Sequence, residues 1–152
     1  HYNIQYYYTG NVPDSTVYTN TDIVNNATYV AERDYHHVNA QNQVDTSWYN
    51  YLNNVGLYLN SSKYANIYNG NNLVEVWAYS STDSVNYTLT GKTVYFYNPN
   101  NTQDSLVGYA WQAGNWYKMS KVAYEYNANQ YTIAKQNWFF DNNSLKKSCE
   151  VL

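Results

Sequence analysis

Cys149 is the only cysteine, so no internal disulfide can form, a stapled mini-protein is excluded and stability has to come from packing. Charge is scarce as well: eight Lys and Arg face eleven Asp and Glu, a net of −3. No basic stripe is available to meet phosphates, which argues against nucleic acid as a partner. The six glycines stand singly, which excludes a phosphate-cradling loop, and neither HExxH, a cysteine cluster nor GxSxG occurs. No apolar run approaches the roughly 20 residues of a bilayer-spanning helix. The opening "HYNIQYYY" has no initiator Met and no signal-peptide apolar region, so the chain reads as a mature or excised stretch.

What is present is aromatic. The 152 residues suffice for one domain with a core or for two small ones, yet Tyr supplies 21 of them, Trp five and Phe three, while Leu, Ile and Met are few. Tyrosine buries a large ring but needs a partner for its hydroxyl, which suits thin sheets whose rings lie half in and half out of a core. Asn, Ser, Thr and Gln supply the polar surface; they favour turns and strands over long helices and are common in exported proteins.

Along the chain, Gly10, Pro13 and Asp14 predict a turn after "NIQYYYT". "AERDYHHVNA" alternates without a clean apolar face and reads as an exposed or edge strand. In "VDTSWYNYLNNV" the residues Trp48, Tyr51, Leu52 and Val55 fall at helical spacing, with Asp45 or Thr46 to cap, which predicts one short helix. "NGNN" at 69–72 is the strongest hairpin turn. From there short strand signals recur: "LVEVWAYS", "NYTLT", "TVYFYN", "LVGYAWQAG", "NWYKM", "KVAYEYN", "YTIAK" and "NWFF". That pattern predicts a mainly β protein, an antiparallel barrel or sandwich.

Three pieces of the last third carry a resemblance: "VYFYN" entering a polar turn, Gly114, Trp116, Tyr117 and Lys118 in "GNWYK", and Tyr131, Ile133, Trp138 and Phe139 at the close. This region resembles the surface-layer attachment domains of lactobacilli and, more distantly, bacterial SH3-like cell-wall modules. The resemblance implies a small β-barrel that holds a secreted protein on cell-wall polymer. Those families are rich in Lys; the acidic balance of this chain points instead to neutral glycan or to protein partners in a surface layer. Residues 1–90 then read as a β-rich region with the short helix and 91–152 as an SH3-like module, forming one domain or two.

Neutral sugars stack their C–H faces on aromatic rings while amides and carboxylates take their hydroxyls. The candidate ligand-binding residues are therefore Trp77, Tyr79, Trp111, Trp116, Tyr117 and Trp138, with Glu75, Gln112 and Asn115 as polar partners; each indole has core packing as its competing role. Arg33, Asp34, His36 and His37 form the densest titratable cluster, but adjacent histidines on a strand face opposite ways, and no tight metal site is expected. A glycosidase pair could be drawn from Asp34, Asp45, Glu75, Asp83, Asp104, Glu125 and Asp141, whose separations sequence does not give. Five sequons, at Asn26, Asn60, Asn86, Asn100 and Asn142, follow from an Asn-rich composition. The last four residues, Cys149 to Leu152, formally fit a prenylation box, although Glu150 stands where an aliphatic residue is usual. The reading is a secreted or cell-surface, non-catalytic module that binds glycan or cell-wall polymer without a cofactor. The alternatives are a surface-layer or fibre subunit contacting other surface proteins or itself, and a glycan-active hydrolase.

Overall fold

The computed structural model describes residues 2–9, 12–22, 27–52, 58–141 and 144–148. The strands are β1 (Tyr2–Thr9), β2 (Val12–Asp22), β3 (Ala27–Val38), β4 (Val44–Leu52), β5 (Tyr58–Asn69), β6 (Asn72–Ser81), β7 (Thr88–Tyr97), β8 (Gln103–Gln112), β9 (Asn115–Tyr126), β10 (Thr132–Asp141) and β11 (Ser144–Ser148). They form one antiparallel sheet in chain order, so the mainly β expectation holds, and among the described residues β1 and β11 are not paired with each other. The sequons at Asn26 and Asn142 and the tail from Cys149 lie outside the described residues.

Packing divides the chain into two compact units. Unit 1 comprises residues 1–66 and 78–89, and unit 2 comprises residues 67–77 and 90–152. Among the described residues of unit 2, Val107 is the buried apolar one, and the other large side chains on its strands are half-buried or exposed. Each half-buried ring withdraws ~100 Å² from water and contributes ~2 kcal/mol. Its hydroxyl is satisfied across strands: Tyr97 donates to the Leu73 carbonyl at 2.8 Å and Tyr126 to the Gln103 carbonyl at 2.7 Å.

Those two bonds are equivalent because the chain is a repeat. Asn39, Asn69, Asn98 and Asn127 open hairpin turns at intervals of 29 or 30 residues, and six residues before each stands a basic side chain: Arg33, Lys63, Lys92 and Lys121. At Asn39, Asn98 and Asn127 the backbone N–H donates to the carbonyl four residues on, at 2.9, 2.8 and 3.0 Å respectively. The Asn39, Asn98 and Asn127 carbonyls each accept in turn from the backbone N–H of the third residue on. Those third residues, Asn42, Asn101 and Gln130, hold φ of 59°, 64° and 64°, the left-handed step that lets a three-residue loop rejoin its strands. The turn after Asn69 is shorter, and Gly70 takes φ 60°. Hairpin repeats of this kind stack neighbour on neighbour.

Three sequence expectations are corrected. No helix occurs among the described residues: Asp45 to Leu52 belong to β4, while Val55 lies outside them. An isolated helix of that length is marginal, whereas the strand places Trp48 opposite Lys63 and stacks Tyr49 edge-on against Tyr64 at 5.6 Å. "AERDYHHV" is an interior strand, paired with β2 and β4, and Asp34 is only 6% exposed. Its faces look mixed because the interior of unit 1 is itself polar: Thr16, Asp34, Ser47, Asn50, Ser61 and Ser81 are buried. Pro13 and Asp14 lie within β2 and not in a turn; Pro13 pairs with Tyr8 and Ser15 with Tyr7, which leaves Asp14 as a bulge beside the proline. The eight strand signals after residue 72 merge into five longer strands, with Gly91 inside β7 and a bulge at Met119 inside β9.

Candidate functional site

The register of unit 2 defines one aromatic face. Lys92 on β7 pairs with Tyr109 on β8, which pairs with Lys118 on β9; Trp111 pairs with Trp116 next to the hairpin turn. On β6, strand alternation puts Glu75 and Trp77 side by side, and the Trp77 Nε1–H donates to Glu75 Oε2 at 2.6 Å. These elements converge on Trp116, whose ring lies 5.6 Å from Trp77 at 84°, 6.4 Å from Tyr109 at 80° and 4.8 Å from Trp111 at 57°. The Lys92 ammonium sits 5.0 Å from the Trp116 centroid, 5.2 Å from Trp77 and 5.8 Å from Tyr109, with Glu75 Oε1 at 3.6 Å. Edge-to-face rings roofed by a cation form a preorganised cluster, and every member of it is partly exposed.

The same face continues along the strands. Val94 pairs with Val107 and Val107 with Lys121, whose ammonium lies 5.6 Å over Trp138. A groove of about 300 Å³ opens here between Phe96 and Phe140, floored by Ser105 and Val107 and rimmed by Asp104, Lys118 and Lys121. Two phenyl walls over a floor of Val107 and the Ser105 hydroxyl, with charged groups at the rim, can take an amphipathic ligand lying on the sheet.

Of the nine candidates, Gln112 and Asn115 pair next to the turn and alternate to the face opposite Trp111 and Trp116, while Glu75, Trp77, Trp111 and Trp116 come together on the aromatic face. Trp138 is on the same face beside Lys121, whereas Tyr117, 44% exposed, pairs with Ala110 on the opposite face. Tyr79 belongs to unit 1, where Lys63 lies 5.7 Å over it and 5.8 Å over Trp48. Sequence reasoning passed over Tyr109, Lys92 and Lys121. The alternation of "GYAWQ" puts Tyr109 beside Trp111, and the basic residue six positions before each turn Asn marks both lysines.

The titratable groups of unit 1 are built into its packing. His36 and His37 face opposite ways, as adjacent strand residues do; His36 Nδ1 shares a 2.9 Å hydrogen bond with Ser47 Oγ, and the His37 Nδ1–H donates to Asp45 Oδ1 at 2.7 Å. Burial pushes the Asp34 carboxyl up to about 6, with the Glu32 charge adding to the rise. Burial also lowers His36. Asp83 accepts from the Val85 and Asn86 backbone N–H groups, the Asn86 side chain and the Ser81 hydroxyl, which together hold it well below the usual carboxylate range. In unit 2, Glu125 accepts from Gln136 at 2.7 Å and Asp104 from Ser105 at 2.9 Å. The side chain of Asp141 lies outside the described residues. A second, polar cleft of about 430 Å³ in unit 1 is lined by Ser61, Ser62, Ser80, Ser81, Thr82, Asn86 and Thr88. Among the described residues no three His, Cys, Asp or Glu are grouped to hold a metal ion.

The fold is similar to the crystal structure of a Bacteroides fragilis protein of unknown function, with a TM-score of 0.44 and 11% identity, over 100% of this chain and 91% of that one. No family model and no curated protein matches the chain.

Proposed function

We propose that the chain is a non-catalytic binding module, secreted or displayed at a cell surface, that recognises glycan or cell-wall polymer on the aromatic face of unit 2. The observation that carries this reading is the meeting of Trp77, Tyr109, Trp111 and Trp116 on one face, half-exposed and held by Lys92 and Glu75. Lys92 covers part of Trp77 and Trp116, so Trp111 is the ring placed to stack on a sugar. Lys118, paired with Tyr109 on the same face, supplies a donor for hydroxyls. The groove beyond Tyr109 extends the contact, with Lys118 and Asp104 at its rim.

Five of the seven candidate carboxylates are engaged and Asp34 is buried, which supports a binder over a hydrolase. Glu75 is bonded to Trp77 and paired with Lys92, Asp45 holds His37, Asp83 caps a turn, and Glu125 holds Gln136.

The test is an array of neutral and acidic oligosaccharides screened with the chain and with Trp111→Ala. Binding that weakens by about tenfold or more in the variant supports the reading, since a base or sugar stacked on an aromatic ring contributes ~1–3 kcal/mol. An array without a hit, or binding unchanged by the substitution, contradicts it.

A further inference from the structure

One element of the aromatic face occurs twice in unit 2. Lys92 stands six residues before the turn at Asn98 and Tyr109 eleven after it; Lys121 and Trp138 hold the same two places about Asn127. In both hairpins the lysine and the ring are direct cross-strand partners. The ammonium lies 5.8 Å from the Tyr109 centroid in the first and 5.6 Å from the Trp138 centroid in the second. Register puts both rings on one face, because Val107, two residues from Tyr109 on β8, pairs with Lys121, and Lys121 pairs with Trp138.

The same register gives the length of the face. Trp111 lies four residues along β8 from Val107, ~13 Å at the rise of a strand, and Trp138 lies two strands across from Val107, ~10 Å at ordinary strand spacing. Trp111 and Trp138 therefore stand ~16 Å apart, farther than one sugar ring can bridge. Tyr109 and Lys118 lie between them, followed by the groove with Val107 in its floor and Phe140 in its wall. Neither indole is enclosed: Trp111 adjoins a turn whose residues 112–115 are exposed, and Trp138 is itself partly exposed. A pocket for a chain end closes around most of its ligand. An open track instead adds modest contacts along a chain, each bringing the next within reach.

We propose that this site takes an internal stretch of a linear polysaccharide, laid obliquely across β8, β9 and β10. Trp111 and Trp138 are separate stacking subsites, and the groove holds the sugars that link them. Trp138 then determines specificity by reading the length of the ligand. The inference rests on the glycan reading of the aromatic face and adds to it the form of the glycan.

Titration calorimetry with graded chito-, cello- and xylo-oligosaccharides of one to six units, on the parent, Trp111→Ala and Trp138→Ala, tests it. Affinity should climb about tenfold or more from the shortest bound member of a series to its hexamer, the factor that a second stacked ring contributes. Trp138→Ala should flatten that climb and leave the affinity for the shortest ligand unchanged, with Trp138→Phe restoring part of the climb; Trp111→Ala should weaken binding at every length. A readout on the unmodified chain is independent of how the variants fold: the Trp138 indole N–H resonance should shift with the hexamer and stay in place with the shortest ligand. Affinity independent of length, or a Trp138 resonance unmoved by the hexamer, while Trp111→Ala still weakens binding, overturns this inference and leaves the glycan reading standing. Absence of binding in all three series contradicts that reading and this inference together.

Discussion

The two units are built from the same hairpin and filled differently. Among the described residues, unit 1 holds six of the seven buried polar side chains, from Thr16 to Ser81, and unit 2 the buried Val107; of the five tryptophans, unit 1 has one and unit 2 four. Charge divides along the same line. Arg33 and Lys63 face six acidic residues in unit 1, whereas unit 2 has six basic residues against five acidic. A hairpin ladder evidently needs only a turn, a register and half-buried rings. What lies between the rings is open to variation: in unit 1 it is a set of buried hydroxyl, amide and carboxyl groups, in unit 2 an aromatic face with a groove. The second filling is the one that leaves apolar surface for a ligand.

The largest expected effect sharpens that contrast. Trp116→Ala removes the ring on which Trp77, Tyr109, Trp111 and Lys92 converge and should cost ~2–4 kcal/mol in urea unfolding, against ~1–2 kcal/mol for Trp48→Ala in unit 1. Equal losses would mean that the cluster is no more organised than a lone indole roofed by Lys63. Next come two glycines of unit 2. A Cβ on Gly91 would stand 2.6 Å from the Tyr109 backbone oxygen, and one on Gly108 would stand 2.7 Å from the Ser120 hydroxyl. Backbone must move in the first case and a side chain can rotate in the second, so Gly91→Ala should cost ~2 kcal/mol and Gly108→Ala less than ~1 kcal/mol by thermal melting.

The polar filling of unit 1 should show in pH dependence. Asp34 has its carboxyl raised to about 6 in the fold from 3.8, so above that value the fold holds a buried carboxylate that the unfolded chain solvates freely. The penalty is complete above pH 6 and fades as pH falls toward 4, because the native state then binds the additional proton. Between pH 7 and pH 5 this residue should therefore add on the order of 1 kcal/mol to stability, a gain that Asp34→Asn abolishes. Lowered His36 works the other way over this interval, so the test compares parent with variant: a pH 7-to-5 change in melting temperature that is the same in both would break this part of the comparison. Asp83 acts in the opposite direction: its lowered carboxyl contributes stability above the ordinary carboxylate range that is lost at more acid pH. The smallest effect belongs to a turn. Gln130 holds φ 64°, where a side chain is strained, and Gln130→Gly should stabilise unit 2 by ~0.5 kcal/mol.

Much of the fold was legible in the sequence. Alternating aromatic and β-branched residues announced strands, and the turn at Asn69 and Gly70 was read where it occurs. The helix at Trp48 was misread because four apolar residues met the helical spacing by coincidence, while the cross-strand partners Lys63 and Tyr64 that decide the matter are not local. The strand around Asp34 looked like an edge because a polar interior leaves no hydrophobic stripe to see. The 29- to 30-residue repeat was present in the letters but masked by divergent strand residues; the turn bonds at Asn39, Asn98 and Asn127 expose it. At the site, strand parity separated Trp116 from Tyr117 only once the register was known, and Tyr79 fell in unit 1 because the division between the units passes through β6.

The account rests on the aromatic face of unit 2 being the surface that meets a ligand. The direct measurement follows the five indole N–H resonances while a glycan that binds the chain is titrated in. The account predicts shifts at Trp111 and Trp116, a smaller one at Trp77 as its bond to Glu75 adjusts, and none at Trp48; movement at Trp48 with the unit 2 indoles unchanged would contradict it.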